Sequence, residues 1–223
     1  MEGYAAPRIK ICCIASLDEA LLAIDHGAAA VGLVSEMPSG PGPIPEPLIA
    51  EIAGALAGRP VRTFLLTSKP DATAIIAQVR RTGVNTVQIC DRLAIGSHRD
   101  LRSALPGVDL VQVIHVQGER SVLEADEVVA QVDAILLDSG RPDAAVKQLG
   151  GTGRTHDWSL SRRIRDLGAP LWLAGGLRPD NVGEAIATVR PYGLDICSGV
   201  RSGGRLDPRK LAAFVNAVER AAA

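Results

Sequence analysis

Aromatic residues make up only 3% of the 223-residue chain, which argues against a base-stacking surface for nucleic acid. Neither charge is in surplus, with 24 Lys and Arg against 25 Asp and Glu. No basic run stands out, so the electrostatic footprint of a nucleic-acid partner is missing. No stretch of about 18 apolar residues occurs, so nothing reads as a membrane span. Met1 to Lys10 is neither a basic leader nor followed by a signal-length apolar core. These absences point to a cytoplasmic protein with no nucleic-acid or membrane partner. None of the 4 cysteines (Cys12, Cys13, Cys90 and Cys197) forms a Cys-x-x-Cys pair. They read as free thiols, and not as a zinc ribbon or a thioredoxin motif.

What is present is a regular alternation of short apolar runs with amphipathic stretches. Strands are expected at Arg8–Ile14, Ala29–Val34, Val61–Leu66, Thr86–Cys90, Leu110–Val116, Ala134–Leu137, Pro170–Ala174 and Leu194–Ile196. Helices are expected between them and after the last. Ser16 with Glu19 forms a capping box for a helix over Leu17–His26 that stops at Gly27. Ser68 with Asp71 caps a third helix. Asp157 caps a sixth, Pro179 opens a seventh as its first residue, and Asp207 with Pro208 begins the last. Alternating βα units mean a parallel sheet. Eight units of similar length predict an α/β fold, a closed (β/α)8 TIM barrel over residues 1–223 as a single domain. The open doubly wound sheet is the rival, but no GxGxxG follows the first strand, where that fold carries its dinucleotide signature.

In such barrels the reacting groups sit at the C-terminal ends of the strands. Alternation points Lys10 and Cys12 to one face of the first strand. A nearby ammonium favours a thiolate, which makes Cys12 a candidate base or nucleophile; the plain alternative is a small buried hydrophobe. Asp138 ends an apolar strand. A partly desolvated carboxyl there has a raised pKa and can give up a proton near neutrality. Glycines cluster after the last three strands, at Gly150-Gly151-Thr152-Gly153, Gly175-Gly176 and Ser198-Gly199. Main-chain N–H groups at such glycines cradle phosphate, and the helix start at Pro179-Asp180-Asn181 adds its dipole. Cys12, Cys90, Cys197 and His115 all fall at strand ends, but their spacing matches no recognised metal pattern. The long connection from Ser139 to Thr155 reads as a substrate lid, with Lys147 and Arg154 able to reach an anion.

Taken in order and spacing, these residues resemble the phosphoribosylanthranilate isomerase family of tryptophan biosynthesis. The resemblance runs nearly end to end. It is carried by Lys10-Ile11-Cys12, Val87-Gln88, Leu137-Asp138, Gly150 through Thr155, Asp157-Trp158, Gly175-Gly176-Leu177, Pro179 with Asn181-Val182, and Val189-Arg190-Pro191 leading to Asp195 and Ser198-Gly199-Val200. It implies a cofactor-free Amadori rearrangement of a phosphosugar. Asp138 would be the general acid on the furanose ring oxygen, and Cys12 the general base at C2′. The substrate and its phosphate would be held by Lys10, Gln88, Gly151, Thr152, Gly153, Gly175, Gly176, Asn181, Ser198 and Gly199, with Asp195 orienting groups at the eighth strand. A monomer or a homodimer fits the resemblance, and no metal is implied.

The sequence departs from the family pattern at four places. Cys13 stands where glycine usually follows Lys-Ile-Cys. Cys90 and Asp91 replace the histidine and glycine usual after the fourth strand. The loop from Ser35 to Pro43 has no arginine for the anthranilate carboxylate and carries Glu36. Arg201 stands where an acidic residue usually follows Ser-Gly-Val. Arg201 and Arg62 are the candidates to supply the missing charge. The rewritten loop leaves open a diverged paralogue that isomerises, or only binds, another phosphorylated aminosugar.

Overall fold

The computed structural model describes residues 6–140, 147–149 and 155–222. Its strands are β1 (Arg8–Ile11), β2 (Ala30–Val34), β3 (Arg62–Thr67), β4 (Thr86–Ile89), β5 (Asp109–His115), β6 (Ala134–Asp138), β7 (Leu171–Leu173) and β8 (Gly193–Ile196). Each pairs in parallel with the next, and β8 pairs with β1 to close the barrel. Helices α1 (Leu17–Asp25), α2 (Glu46–Ala55), α3 (Ala72–Thr82), α4 (His98–Ala104), α5 (Arg120–Val128), α6 (Trp158–Arg165), α7 (Val182–Val189) and α8 (Pro208–Ala222) follow the strands in turn. The (β/α)8 architecture read from the alternating pattern is the one observed.

Side-chain alternation splits the buried residues into two apolar layers. Ile9, Ile11, Val31, Leu33, Leu65, Val87, Ile89, Ile135 and Leu137 pack toward the helices. Ala30, Phe64, Val111, Val113, Ala134, Leu136 and Trp172 fill the barrel interior. The register explains how the interior closes. Trp172 lies beside Gly193 on the neighbouring strand, and a Cβ at Gly193 would overlap the Trp172 ring. Phe64 meets Trp172 edge-on, with ring centroids 5.6 Å apart, an arrangement that the ring quadrupoles favour. The barrel thus uses two of its scarce aromatics as an internal plug.

Local chemistry sets most helix starts as read, with three differences. Ser16 Oγ accepts from Glu19 N–H at 3.2 Å, but the Glu19 carboxylate takes the Ala15 N–H instead of completing a capping box. In α3, Asp71 alone is the cap, accepting from Thr73 and Ala74. Ser68 lies too far upstream, because Pro70 biases the residue before it away from helical backbone. Pro179 does not open α7: residues 179–180 form a turn closed by the Asn181 N–H bonded to Arg178 O, and the helix begins at Val182. A short hairpin at Arg201–Ser202 and Arg205–Leu206 and the complete Ser97–Asp100 capping box of α4 were not expected.

Two outcomes follow from this packing. Gly193→Ala is expected to lower stability by about 1–3 kcal/mol through overpacking against Trp172, read as a lower denaturant midpoint with an unchanged slope. His156, just before α6, is bonded to Ser161 Oγ at 2.8 Å. Burial pushes it down to about 4. Its folded value lies below its unfolded one, so the unfolded chain binds more protons between pH 6.5 and 4. Its contribution is therefore complete above pH 6.5 and is lost as pH falls through that window. His156→Gln is expected to flatten the stability decline over that range.

Candidate active site

At the C-terminal end of the barrel an open cavity encloses ≈ 690 Å³ of atom-free space, solvent at its mouth included, a size suited to a small phosphorylated ligand. Beneath it lies a buried charge that does not itself line the cavity. Lys10, in the middle of β1, is fully buried. Its ammonium lies 2.9 Å from Asp195 Oδ2, donates to Gln88 Oε1 at 3.0 Å and sits 4.9 Å above the Phe64 ring. Burial alone would depress its pKa, but Asp195 overrides this and holds the ammonium above its ordinary range. Burial raises the Asp195 carboxyl, with Lys10 pulling it back. Asp195 Oδ1 is buried without a protein partner and the residue lines the cavity, so a ligand hydroxyl or N–H can use it.

Cys12 follows Lys10 by two residues, which keeps it on the interior face, and it lines the same cavity. Asp138 reaches that cavity from the last position of β6. Its Oδ1 accepts the Ser139 N–H at 2.7 Å, which orients the carboxyl. A thiol and a carboxyl from well-separated strands therefore face one space.

The opposite rim is main chain. Gly175 and Gly176 have φ of 87° and 62°, the left-handed region that glycine enters without strain. Asn181 does not line the cavity. Its amide donates to Gly176 O at 3.0 Å and its oxygen accepts from Arg178 N–H at 2.8 Å, so it shapes the glycine turn from behind. Gly199 packs against the loop after β7: a Cβ there would stand 2.6 Å from Leu177 O. Gly175, Gly176, Ser198 and Gly199 all border the cavity. Gly151, Thr152, Gly153 and Arg154 lie outside the described residues.

The cations expected to meet a carboxylate are placed elsewhere. Arg62 starts β3 at the far end of the barrel and pairs with Asp109 at 3.0 Å. Lys147 pairs with Asp91. Arg201 is turned behind the site. It bonds both Glu19 oxygens at 3.2 Å, Cys12 O at 3.1 Å and Cys13 O at 2.6 Å. Burial opposes ionisation of Glu19, yet the N–H groups of Leu206 and Ala15 and the Arg201 guanidinium hold its carboxyl below the usual range. Arg201 is thus a brace for the chain that carries Cys12, and no Arg or Lys is among the described residues lining the cavity.

Cys197, expected at a strand end by the mouth, lines the cavity, whereas Cys90 does not; sequence reasoning did not foresee that Cys13 lines it too, with Met37, Pro41 and Leu149. The signal available for Cys197 was its position directly after β8. For Cys13 it was the displaced glycine.

A sequence model described as N-(5'phosphoribosyl)anthranilate (PRA) isomerase matches residues 61–217. The N-(5'-phosphoribosyl)anthranilate isomerase 2 of Methanosarcina mazei is 36% identical over 211 residues, covering 94% of this chain and 92% of the relative. The crystal structure of phosphoribosyl anthranilate isomerase from Thermotoga maritima superposes with a TM-score of 0.78 at 29% identity, covering 96% of this chain and 99% of that one. A phosphoribosyl anthranilate isomerase solved with reduced 1-(o-carboxyphenylamino)-1-deoxyribulose 5-phosphate superposes with a TM-score of 0.75 at 27% identity, covering 96% and 99%. With an acid, a thiol and a main-chain rim around one barrel mouth, and with matches that run along nearly its whole length, this chain belongs to the phosphoribosylanthranilate isomerase family.

Proposed function

We propose that this chain isomerises N-(5'-phosphoribosyl)anthranilate to 1-(2-carboxyphenylamino)-1-deoxyribulose 5-phosphate, with Asp138 as general acid and Cys12 as general base. The observation that carries the reading is the placement of both side chains on one cavity opposite a rim of glycine main chain. The reaction needs a proton given and a proton taken from a held substrate. Asp138 protonates the furanose ring oxygen. The C1′–O bond breaks as the nitrogen lone pair forms a Schiff base. Cys12 then removes the C2′ proton, leaving an enolamine. Return of a proton to C1′ and loss of the C2′ hydroxyl proton give the ketose, so atoms and charge balance without a redox partner.

Each further group has a role that its surroundings support. Lys10, two residues before Cys12 on the same face of β1, adds positive charge below the cavity. Gln88 holds Lys10 in place. Asp195 offers its unpartnered oxygen to a substrate hydroxyl. Gly175, Gly176, Ser198 and Gly199 take the phosphate, whose charge main-chain N–H groups meet without a cation. The same reading places the protein in the cytoplasm, where its free thiols persist; no described helix is long and apolar enough to cross a membrane.

The direct test follows loss of anthranilate fluorescence on mixing protein with N-(5'-phosphoribosyl)anthranilate. Cys12→Ala and Asp138→Asn are each expected to lower kcat by about 10²–10⁴-fold. Full activity in both variants would remove the acid–base assignment, and no turnover by the unaltered protein would remove the substrate. Arg201 acts through the position of Cys12. Arg201→Met is expected to lower kcat by roughly 10²-fold with little change in KM, and Arg201→Lys to recover part of the loss. A change in KM alone would contradict the positioning role.

A further inference from the structure

Cys13 occupies an unusual place. Its φ of 61° is in the left-handed region, where a residue with a Cβ is strained, and where the family pattern has glycine. It is also tightly clasped. Its Sγ lies 3.5 Å from Pro41 O, a Cβ at Gly42 would meet its Cβ at 2.6 Å, and its Sγ is 2.7 Å from that of Cys197. The register puts the ends of β1 and β8 side by side, with Cys12 N–H bonded to Ile196 O at 2.8 Å. Strain at a site is a reason to look for what the residue does there.

We propose that Cys13 and Cys197 form a reversible dithiol modification site, oxidised by a peroxide to a disulfide that ties the end of β1 to the end of β8 at the cavity rim. Cys197 is the partly exposed member and Cys13 the buried one. Hydrogen bonding with Cys13 holds the Cys197 thiol below its ordinary range, aided by Arg201 and opposed by burial. Hydrogen bonds with Cys12 and Cys197 push Cys13 up, and burial adds to this. The thiolate is the reactive form, so Cys197 attacks first. Its sulfur forms a bond to one peroxide oxygen, the O–O bond breaks, and hydroxide leaves as water after taking a proton. Cys13 then gives up its proton and attacks the Cys197 sulfenic acid. The S–S bond forms, the S–O bond breaks, and a second water leaves. Two electrons pass from the thiols to the peroxide, and a small dithiol reverses the change.

The consequence for catalysis rests on the isomerase reading: drawing Cys13 toward Cys197 shifts the backbone directly after Cys12. The test exposes the whole protein to hydrogen peroxide, blocks remaining thiols by alkylation, and locates linkages by tandem mass spectrometry without reduction. Isomerase activity is followed in parallel, before and after dithiothreitol. The expected result is a Cys13–Cys197 linkage, an activity loss of about 10²-fold and recovery on reduction. Cys13→Gly, which relieves the left-handed strain, is expected to keep activity and to resist peroxide. Cys197→Ala is a second variant expected to form no linkage. A linkage through Cys12, or oxidation of Cys12 with none between Cys13 and Cys197, would overturn the proposal. Linkage in a protein that lacks isomerase activity even when reduced would instead leave the dithiol site standing and sink the reading of function.

Discussion

The buried pair of Lys10 and Asp195 sits at the seam where the last strand meets the first. Removing two charges from water is unfavourable unless each finds a partner in good geometry. Here the ammonium has a carboxylate, an amide oxygen and an aromatic face within reach. One end of the pair fixes β1 and the other fixes β8, so the seam and the floor of the cavity are the same structure. Cys12 inherits its direction from Lys10 by strand alternation. Asp195 keeps one oxygen for the cavity because the other is held by Lys10.

Around this floor, the rim is built from short-range constraints. Glycine conformations after β7 are locked by Asn181, and Gly199 fills a gap that admits no side chain beside Leu177. On the opposite side Arg201, paired with Glu19, donates to the carbonyls of Cys12 and Cys13. The acidic residue usual at position 201 is replaced by its opposite charge, and Glu19 in α1 supplies the matching carboxylate. The pair ties the segment after β8 to the first helix.

Much of the barrel was legible because alternation and βα spacing are local signals. Ser16, Asp157 and Asp207 mark helix starts through their own chemistry. What escaped depends on partners distant in sequence. Nothing around Arg201 says that it turns away from the cavity toward Glu19, 182 positions earlier. Asn181 looked like part of a helix start that faces phosphate, and its side chain instead braces a turn. Pro179 fits a first helical position equally well as a turn position. The strained backbone of Cys13 leaves no trace in composition, only in the glycine it displaces. Of the candidate groups, Cys12, Asp138, Gln88, Asp195 and the later glycines share one space, whereas Arg62 lies at the other end of the barrel because it begins its strand.

The groups bordering the cavity divide along the circumference of the barrel. Cys12, Asp138, Gly175-Gly176 and Ser198-Gly199 border it from the ends of β1, β6, β7 and β8, while the arginine-free segment follows β2 and meets them where Pro41 and Gly42 lie against Cys13. Substitution in the β2 segment would reshape one wall of the cavity and reach the other through its packing on Cys13.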